Sequence, residues 1–317
     1  MRAGALLRVP RAFGYWTGMS GREQRHNGCA RILTYHGTPA ARAGEFERQL
    51  RYLKRHFDIV PLAVLVQAVE AGEGALDARL ALTFDDGLRS NIEVIYPLAK
   101  ELGIPVTFFV CPGLIERGAW LWNMEARQRL RWLGPERATT FTHVLHSECG
   151  APAEGASLVE WMKGLPLESR MEVEERIRSA TKAFSPPERS REECDLAGWD
   201  ELRALEPTIV SIGSHTLTHP ILPLCGTADL EREIVQSRRL LEGKLERAVE
   251  LFAYPNGDQD ERVLACVRRH YRAAVSTVQN WIRAGCDAHL LPRVDAPQGA
   301  LRLCWNMHNP DYVPCVS

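Results

Sequence analysis

Short apolar runs rich in β-branched and aromatic residues alternate with amphipathic helical patterns along most of the chain. This alternation predicts strands at residues 30–35, 80–84, 106–110, 208–212, 250–254 and 273–277, with a short last one at 290–293. Strands that are separated by helices pair in parallel through right-handed crossovers. The sequence therefore predicts an α/β fold, and α/β barrels reach the length of 317 residues as a single unit.

Two stretches depart from this alternation. Roughly residues 118–193 consist of helical patterns and polar loops, and we interpret them as a helical insertion in the domain. Residues 1–28 carry basic side chains without a periodic apolar pattern and are predicted to be a loosely ordered N-terminal tail. The barrel domain is accordingly expected to occupy residues 29–317.

Composition excludes several classes of function. The formal net charge is -1, which gives no reason to expect nucleic acid or an anionic membrane surface as a partner. No segment has the roughly 18 apolar residues of a transmembrane helix, and the N-terminus lacks the apolar run of about 7–15 residues of a signal peptide. Nine cysteines without a C-x-x-C pair suggest reduced thiols. We expect a protein of the cytoplasm or of the inner face of the membrane.

Two motifs combine metal-ligating and proton-transferring side chains. Asp85 and Asp86 follow the apolar run at 80–84, and His215 and His219 follow the run at 208–212. Histidines four residues apart fall on one face of a helical turn, so we expect both imidazoles to reach one cation. One aspartate can supply a third ligand while the other accepts protons. Three protein ligands and an open position are typical of a hydrolytic metal centre.

The residues with catalytic potential share one position relative to the predicted strands. His36, Asp85, Asp86, His215 and the loop of residues 255–257 each lie just beyond the carboxyl end of a strand. In α/β barrels and open α/β sheets the active site is built from those ends. The sequence therefore predicts that these residues meet in one pocket.

The motifs resemble those of the polysaccharide deacetylase family (carbohydrate esterase family 4, the NodB homology domain). Thr83-Phe-Asp-Asp-Gly87 is similar to the first family motif and Ser214-His-Thr-Leu-Thr-His-Pro220 to the second, and the likeness runs from about residue 30 to 296. It implies a distorted (β/α)7 barrel that removes N-acetyl groups from amino sugars. It also implies that Asp86, His215 and His219 bind the metal and that Asp85 is the general base.

Other matches are specific to the exopolysaccharide-modifying branch of that family. His36 in Leu33-Thr-Tyr-His-Gly37 resembles a histidine of the first strand, which we expect to protonate the departing amine. The loop Tyr254, Pro255, Asn256 and Gly257 resembles the third motif, where the N–H of Asn256 would donate to the oxyanion. Ala253 stands where the common form has an arginine that orients the base. Arg293 is expected to replace it from another strand end.

The resemblance implies a metal-dependent hydrolase that deacetylates an amino sugar in a bacterial glycan, or in a lipid-linked precursor. Zinc is the expected metal, and a site of two histidines and one aspartate also accepts cobalt, nickel or iron. The same ligand set occurs in non-haem Fe(II) oxygenases, which usually have a double-stranded β-helix rather than alternating strands and helices. The missing arginine at Ala253 leaves a further alternative, a glycan-binding pseudoenzyme on the same barrel.

Overall fold

The computed structural model describes residues 28–72, 76–152 and 158–307. The predicted N-terminal tail, residues 1–28, falls almost entirely outside these ranges. No helix in the described ranges has the length and apolar content that crossing a bilayer requires.

The described residues form one curved sheet in which neighbouring strands pair in parallel. The strands are β1 (Arg31–Tyr35), β2 (Asp58–Ile59), β3 (Arg79–Phe84), β4 (Val106–Val110), β5 (Val210–Ser214), β6 (Leu251–Ala253), β7 (Ala273–Val275) and β8 (Val294–Asp295). Their order is β7-β6-β5-β4-β3-β1-β8, with β2 paired to β3 off this path. Every residue of β1 and β4 is buried, as expected for parallel strands covered on both faces.

A short segment before and within β8 links the two ends of this sheet. Leu291 forms a parallel bridge with Val275 of β7, and Val294 pairs with Leu33 of β1. The sheet thus curls into a distorted (β/α)7 barrel, and the predicted fold class is confirmed.

Helices connect the strands and cover the sheet. They are α1 (Ala43–His56), α2 (Leu62–Glu70), α3 (Tyr96–Leu102), α4 (Pro112–Arg117), α5 (Trp122–Leu133), α6 (Pro135–Cys149), α7 (Leu158–Met162), α8 (Leu167–Ala180), α9 (Glu188–Cys194), α10 (Trp199–Arg203), α11 (Thr227–Glu231), α12 (Ser237–Leu245), α13 (Glu261–His270) and α14 (Ala300–Met307). Phe46, Leu50 and Leu53 recur at helical spacing on α1 and are all buried, which explains why this helix docks on the barrel. A π-helical segment, Arg232–Gln236, joins α11 to α12.

The region predicted as a helical insertion is helical. Because β4 and β5 are neighbours in the sheet, the whole stretch between them is a single crossover, and α5 to α9 occupy most of it. These helices have an apolar cluster of their own, which includes Trp122, Leu145, Met162 and Ile177. The insertion therefore packs as a small layer beside the barrel.

Strand β5 lies two residues later than the sequence pattern predicts. It ends at Ser214, because its ladder with β4 continues to the pair Val110–Ser214. Gly213 has little intrinsic preference for a strand, but a Cβ atom there would lie 2.4 Å from the ring of Phe109. Close packing against β4 thus requires glycine, and the shift places His215 directly at the strand end.

Candidate metal centre

Four strand ends bring the predicted site residues to one edge of the barrel. Asp85 and Asp86 follow β3, His215 follows β5, and the loop of residues 254–257 follows β6. His36 follows β1, whose last residue Tyr35 is paired with Phe84 at the end of β3. Since all these strands are parallel, their carboxyl ends lie at the same edge of the sheet. The predicted convergence is present in the structure.

Asp86, His215 and His219 form a cluster suited to one cation. The Nε2 atoms of His215 and His219 lie 3.7 Å and 3.5 Å from Oδ1 of Asp86, and one ligand atom of each residue lies within 4.8 Å of the others. Donor atoms around a tetrahedral ion at 2.0–2.2 Å are about 3.3–3.6 Å apart. All three residues are buried. A divalent ion therefore fits among them with small adjustments.

The protonation of the two histidines also suits metal binding. Nδ1 of His215 lies 2.8 Å from the carbonyl oxygen of Ala253, which can only accept a hydrogen bond, so Nδ1 carries the proton and Nε2 keeps its lone pair. Burial lowers the pKa of His219 well below its ordinary value, and the neighbouring His215 adds to this. Burial also raises the pKa of Asp86. The neutral imidazole of His219 is thus ready to bind a metal, and a bound cation would stabilise the ionised carboxylate of Asp86.

The two histidines do not lie on a helical turn, and that prediction was wrong. Residues 215–219, which we call the metal loop, are irregular, and Thr216 and His219 have φ angles of 67° and 60°. Asp86 likewise has a φ of 74°. Residues other than glycine rarely adopt this left-handed conformation, and such strain concentrates at functional sites. The histidines converge because the loop folds back on itself.

Asp85 has a different environment from its neighbour. Its two carboxylate oxygens accept hydrogen bonds of 2.8 Å and 2.7 Å from Nη1 and Nη2 of Arg293, and both side chains are buried. Burial opposes ionisation of Asp85, but the charge and hydrogen bonds of Arg293 outweigh it and hold the pKa well below its usual range. Arg293 lies just before β8 rather than at a strand end, and its Nε donates to the carbonyl of Ser276. Arg293 thus makes the contact with Asp85 that the resemblance led us to expect of it.

His36 is exposed beside the two carboxylates. The backbone carbonyl oxygen of its neighbour Tyr35 accepts a hydrogen bond of 2.9 Å from the backbone N–H of Asp85. Because Tyr35 is paired with Phe84, the next residues of the two strands' paths, His36 and Asp85, leave the sheet side by side. An accessible imidazole at this position can exchange protons with a substrate.

The loop of residues 254–257 follows β6 and is tied to the metal cluster through Ala253. Asn256 has a φ of 57°, and Gly257 a φ of 81°. A Cβ atom on Gly257 would lie 1.8 Å from Oγ1 of Thr277, so only glycine fits. The phenol of Tyr254 points into the core and donates to the carbonyl of His289. The Tyr254 side chain is therefore not available to a substrate, whereas Asn256 is exposed.

Two residues that the sequence analysis missed support the metal loop. The carboxylate of Glu233, in the π-helical segment, accepts hydrogen bonds of 2.8 Å and 2.7 Å from the N–H and hydroxyl of Thr218. Nε1 of Trp122, at the start of the insertion, donates to the carbonyl of His219 over 2.9 Å. A buried acidic residue on an otherwise apolar helix face was a signal for Glu233. The sequence carried no such signal for Trp122.

Comparison with known proteins identifies the family. The model of the family described as polysaccharide deacetylase matches residues 74–274, which is more than half of the chain. The chain belongs to the polysaccharide deacetylase family. Its members are hydrolases of N-acetyl amide bonds, and they generally use a divalent metal. No curated protein sequence matches the chain.

Solved deacetylase structures share the fold of this family member. Streptococcus pyogenes deacetylase PplD in complex with acetate is 16% identical with a TM-score of 0.59, and the match covers 89% of this chain and 99% of that one. IcaB from Ammonifex degensii is 15% identical with a TM-score of 0.57, covering 89% and 98%. The BpsB deacetylase domain from Bordetella bronchiseptica is 12% identical with a TM-score of 0.51, covering 86% and 97%. At these identities the likeness concerns the fold.

The family and the fold also bear on the two alternative functions, an Fe(II) oxygenase and a glycan-binding pseudoenzyme. A (β/α) barrel is not the double-stranded β-helix usual for Fe(II) oxygenases, which removes the structural basis of that interpretation. The argument for a pseudoenzyme was the absent arginine at Ala253. Arg293 contacts Asp85 with two hydrogen bonds, so the carboxylate is not left without a guanidinium.

Proposed function

We propose that this protein is a zinc-dependent deacetylase that removes N-acetyl groups from an amino sugar in a bacterial glycan or glycan precursor. One observation carries the proposal. Three ligand atoms of Asp86, His215 and His219 surround a space of the right size for a divalent ion, beside a carboxylate that Arg293 keeps ionised. A structural ion would not need this additional base.

The residues divide the hydrolysis of an amide bond among them. When bound by Asp86, His215 and His219, the ion supplies Lewis-acid activation of the amide carbonyl and of the attacking water. Asp85 accepts the proton of that water, and Arg293 fixes the orientation of its carboxylate. The backbone N–H of Asn256 donates a hydrogen bond to the oxyanion. His36, which is exposed at the mouth of the site, protonates the departing amine.

The substrate part of the proposal follows from the family assignment and from the similar structures, several of which are deacetylases. A site of two imidazoles and a carboxylate binds zinc well and also accepts cobalt, nickel or iron. The experiment therefore compares these four metals.

Acetate release tests the proposal. The protein is stripped with a chelator, reloaded with zinc, cobalt, nickel or iron, and offered monomeric, oligomeric and lipid-linked N-acetylated amino sugars. We expect metal-dependent acetate release from at least one class of substrate and none from the variant His219→Ala. Acetate release at equal rates without metal, or none from any substrate with any metal, would contradict the proposal.

A further inference from the structure

A large cleft separates the helical insertion from the barrel helices. Its volume is about 1180 Å³, and it lies between α5 and α8 of the insertion on one side and α4 and α12 on the other. Leu217 and Thr218, which stand between the two histidines of the metal loop, form part of its wall. Pockets for small molecules usually measure about 300–1,000 Å³, so this insertion cleft can hold a ligand larger than one sugar.

Arginine dominates the charge of the insertion cleft. Seven of its 26 lining residues are arginines, whereas the whole chain has 34 arginines in 317 residues. Five carboxylates also line it, and each already has a cationic or hydrogen-bonding partner. These five are Glu116, Glu125, Glu174, Asp195 and Glu233. The carboxylates are therefore committed to the protein's own structure.

Three of the arginines have no carboxylate partner among the described residues. Arg117 lies at the end of α4, Arg191 on α9 and Arg239 on α12, and all three are exposed. They come from three separate elements that face the same cleft. A surplus of positive charge in a concave site attracts anions and raises their local concentration.

The cleft also offers ring and apolar surface. Trp120 and Phe184 line it edge to face, with their ring centroids 6.4 Å apart and their planes at 73°. Nε1 of Trp120 donates to Asp195, which fixes the indole. Met171 lines the same cleft and is 54% exposed. Aromatic faces of this kind pack against the apolar faces of sugar rings. The lining thus fits a ligand that combines an anionic group with a carbohydrate.

We propose that the insertion cleft binds the phosphate or diphosphate group of a phosphorylated amino-sugar substrate. This inference rests on the proposed function and specifies the substrate class. Guanidinium groups bind phosphate oxygens through paired, charge-assisted hydrogen bonds. Three arginines without a carboxylate partner match the several charges of a diphosphate, whereas a single carboxylate, as in a uronic acid, would need only one. Contact with Leu217 and Thr218 places the bound group beside the metal loop.

Calorimetric titration of the metal-loaded protein tests the site directly. The probes are inorganic pyrophosphate, N-acetylglucosamine 1-phosphate, uridine diphosphate N-acetylglucosamine, N-acetylglucosamine and glucuronate. We expect the phosphorylated probes to bind, more weakly as salt is raised, and the other two not to bind in the cleft. The variant Arg117→Gln/Arg191→Gln/Arg239→Gln should bind pyrophosphate about 10-fold or more weakly. A triple variant that binds pyrophosphate as tightly as the parent protein overturns the proposal, as does stronger binding of glucuronate than of pyrophosphate.

A matched control separates the cleft from general surface charge. Arg48, Arg55 and Arg269 are exposed and lie outside the cleft, so changing all three to glutamine removes the same charge elsewhere. This control should bind pyrophosphate like the parent, and an equal loss in the control counts against a specific site. Tighter binding of uridine diphosphate N-acetylglucosamine than of pyrophosphate would indicate a nucleotide-linked substrate, and equal binding of the two would indicate that the nucleotide is not recognised.

A second readout connects the cleft to the substrate. In the triple variant, kcat/KM for a phosphorylated N-acetyl sugar should fall more than kcat/KM for the unphosphorylated sugar. The cause should be a higher KM for the phosphorylated sugar. An unchanged ratio would refute the substrate assignment. If no substrate releases acetate, the proposed function fails, and the pyrophosphate titration still decides whether the cleft binds phosphate.

Discussion

Asp85 and Asp86 are neighbours in the sequence, yet their carboxylates have opposite partners. The carboxylate of Asp85 is held by Arg293 through two hydrogen bonds, whereas that of Asp86 faces the imidazoles of His215 and His219. The positive φ of Asp86 turns its side chain toward the histidines while Asp85 points to the arginine. Two identical side chains can thus take the roles of base and ligand.

This contrast gives a paired prediction. Asp85→Asn should abolish acetate release and keep the metal, since the amide can still occupy the space beside Arg293. Asp86→Asn should lose both the activity and the metal, because it removes a charged ligand. Metal content by elemental analysis, measured beside activity, distinguishes the two. Loss of metal in Asp85→Asn with retention in Asp86→Asn would reverse the assignment.

His36 is expected to act on rate rather than on affinity. General acid catalysis contributes about 10²–10⁴-fold, so His36→Ala should lower kcat by a factor in that range with little change in KM. Steady-state kinetics with saturating metal measures the effect. His143→Ala is a suitable control, because His143 lies in α6 of the insertion. A His36→Ala enzyme with the parent's kcat would exclude His36 from proton transfer.

At the scale of elements, the helical insertion takes part in forming the site. Trp122, the first residue of α5, donates a hydrogen bond to His219, and the guanidinium of Arg170 on α8 stacks over its ring at 4.6 Å. The strained backbone of the metal loop is also held by Glu233. The crossover between β4 and β5 thus contacts His219, the proposed ligand that lies farthest along the metal loop.

Trp122→Phe should therefore weaken metal binding. The substitution keeps an aromatic ring but removes the N–H, and groups that orient metal ligands typically affect affinity by about 10–100-fold. Competition with a chromophoric chelator measures the zinc affinity. Trp161→Phe is the control, since Trp161 packs against the same apolar cluster. Equal affinities in the two variants would show that the contact with His219 has no influence.

The stability of the helical insertion is expected to depend on pH. Burial opposes ionisation of Glu125, but hydrogen bonds from Arg178 and Arg129 outweigh it and lower its pKa. Because the folded pKa lies below the unfolded value of about 4.3, this group stabilises the fold above that pH and loses the contribution as pH falls through the folded pKa.

Glu125→Gln should accordingly be less stable than the parent at pH 7, and the difference should shrink below about pH 4. Urea unfolding at a series of pH values provides the free energies. Glu148→Gln is the matched control, because Glu148 pairs with Arg176 in an exposed ion pair of small energetic value. A difference that is constant with pH would show that the charge of Glu125 is not responsible.

At the scale of the whole molecule, metal binding should stabilise the barrel. The proposed ligands follow β3 and β5, which are separated in the sheet by β4, so the unfolded chain cannot hold them together. An ion at 100 times its Kd adds about 2.7 kcal/mol to the free energy of unfolding. We expect the Tm to rise by several degrees with zinc, as seen by calorimetry, and not in His219→Ala. The same rise in that variant would place the stabilising ion elsewhere.

Much of this architecture was predictable because it depends on local patterns. Apolar runs and helical spacing indicated the parallel strands and helices, with β4 at its observed bounds. The motif residues were predictable for a topological reason, since parallel strands present their carboxyl ends at one edge. The shape of the metal loop was not predictable from spacing, because its left-handed residues are imposed by contacts with Glu233 and Trp122.

The sequence by itself determined the fold class, the family and the set of residues that meet at the metal centre. Side-chain chemistry and periodicity along the chain are local properties, and they suffice for that. Only the tertiary structure decided that Arg293 holds Asp85, that Trp122 and Glu233 support the metal loop, and that three arginines face one cleft. Each of these contacts joins residues far apart in the chain, and its geometry exists only once the sheet has curled and the insertion has packed against it.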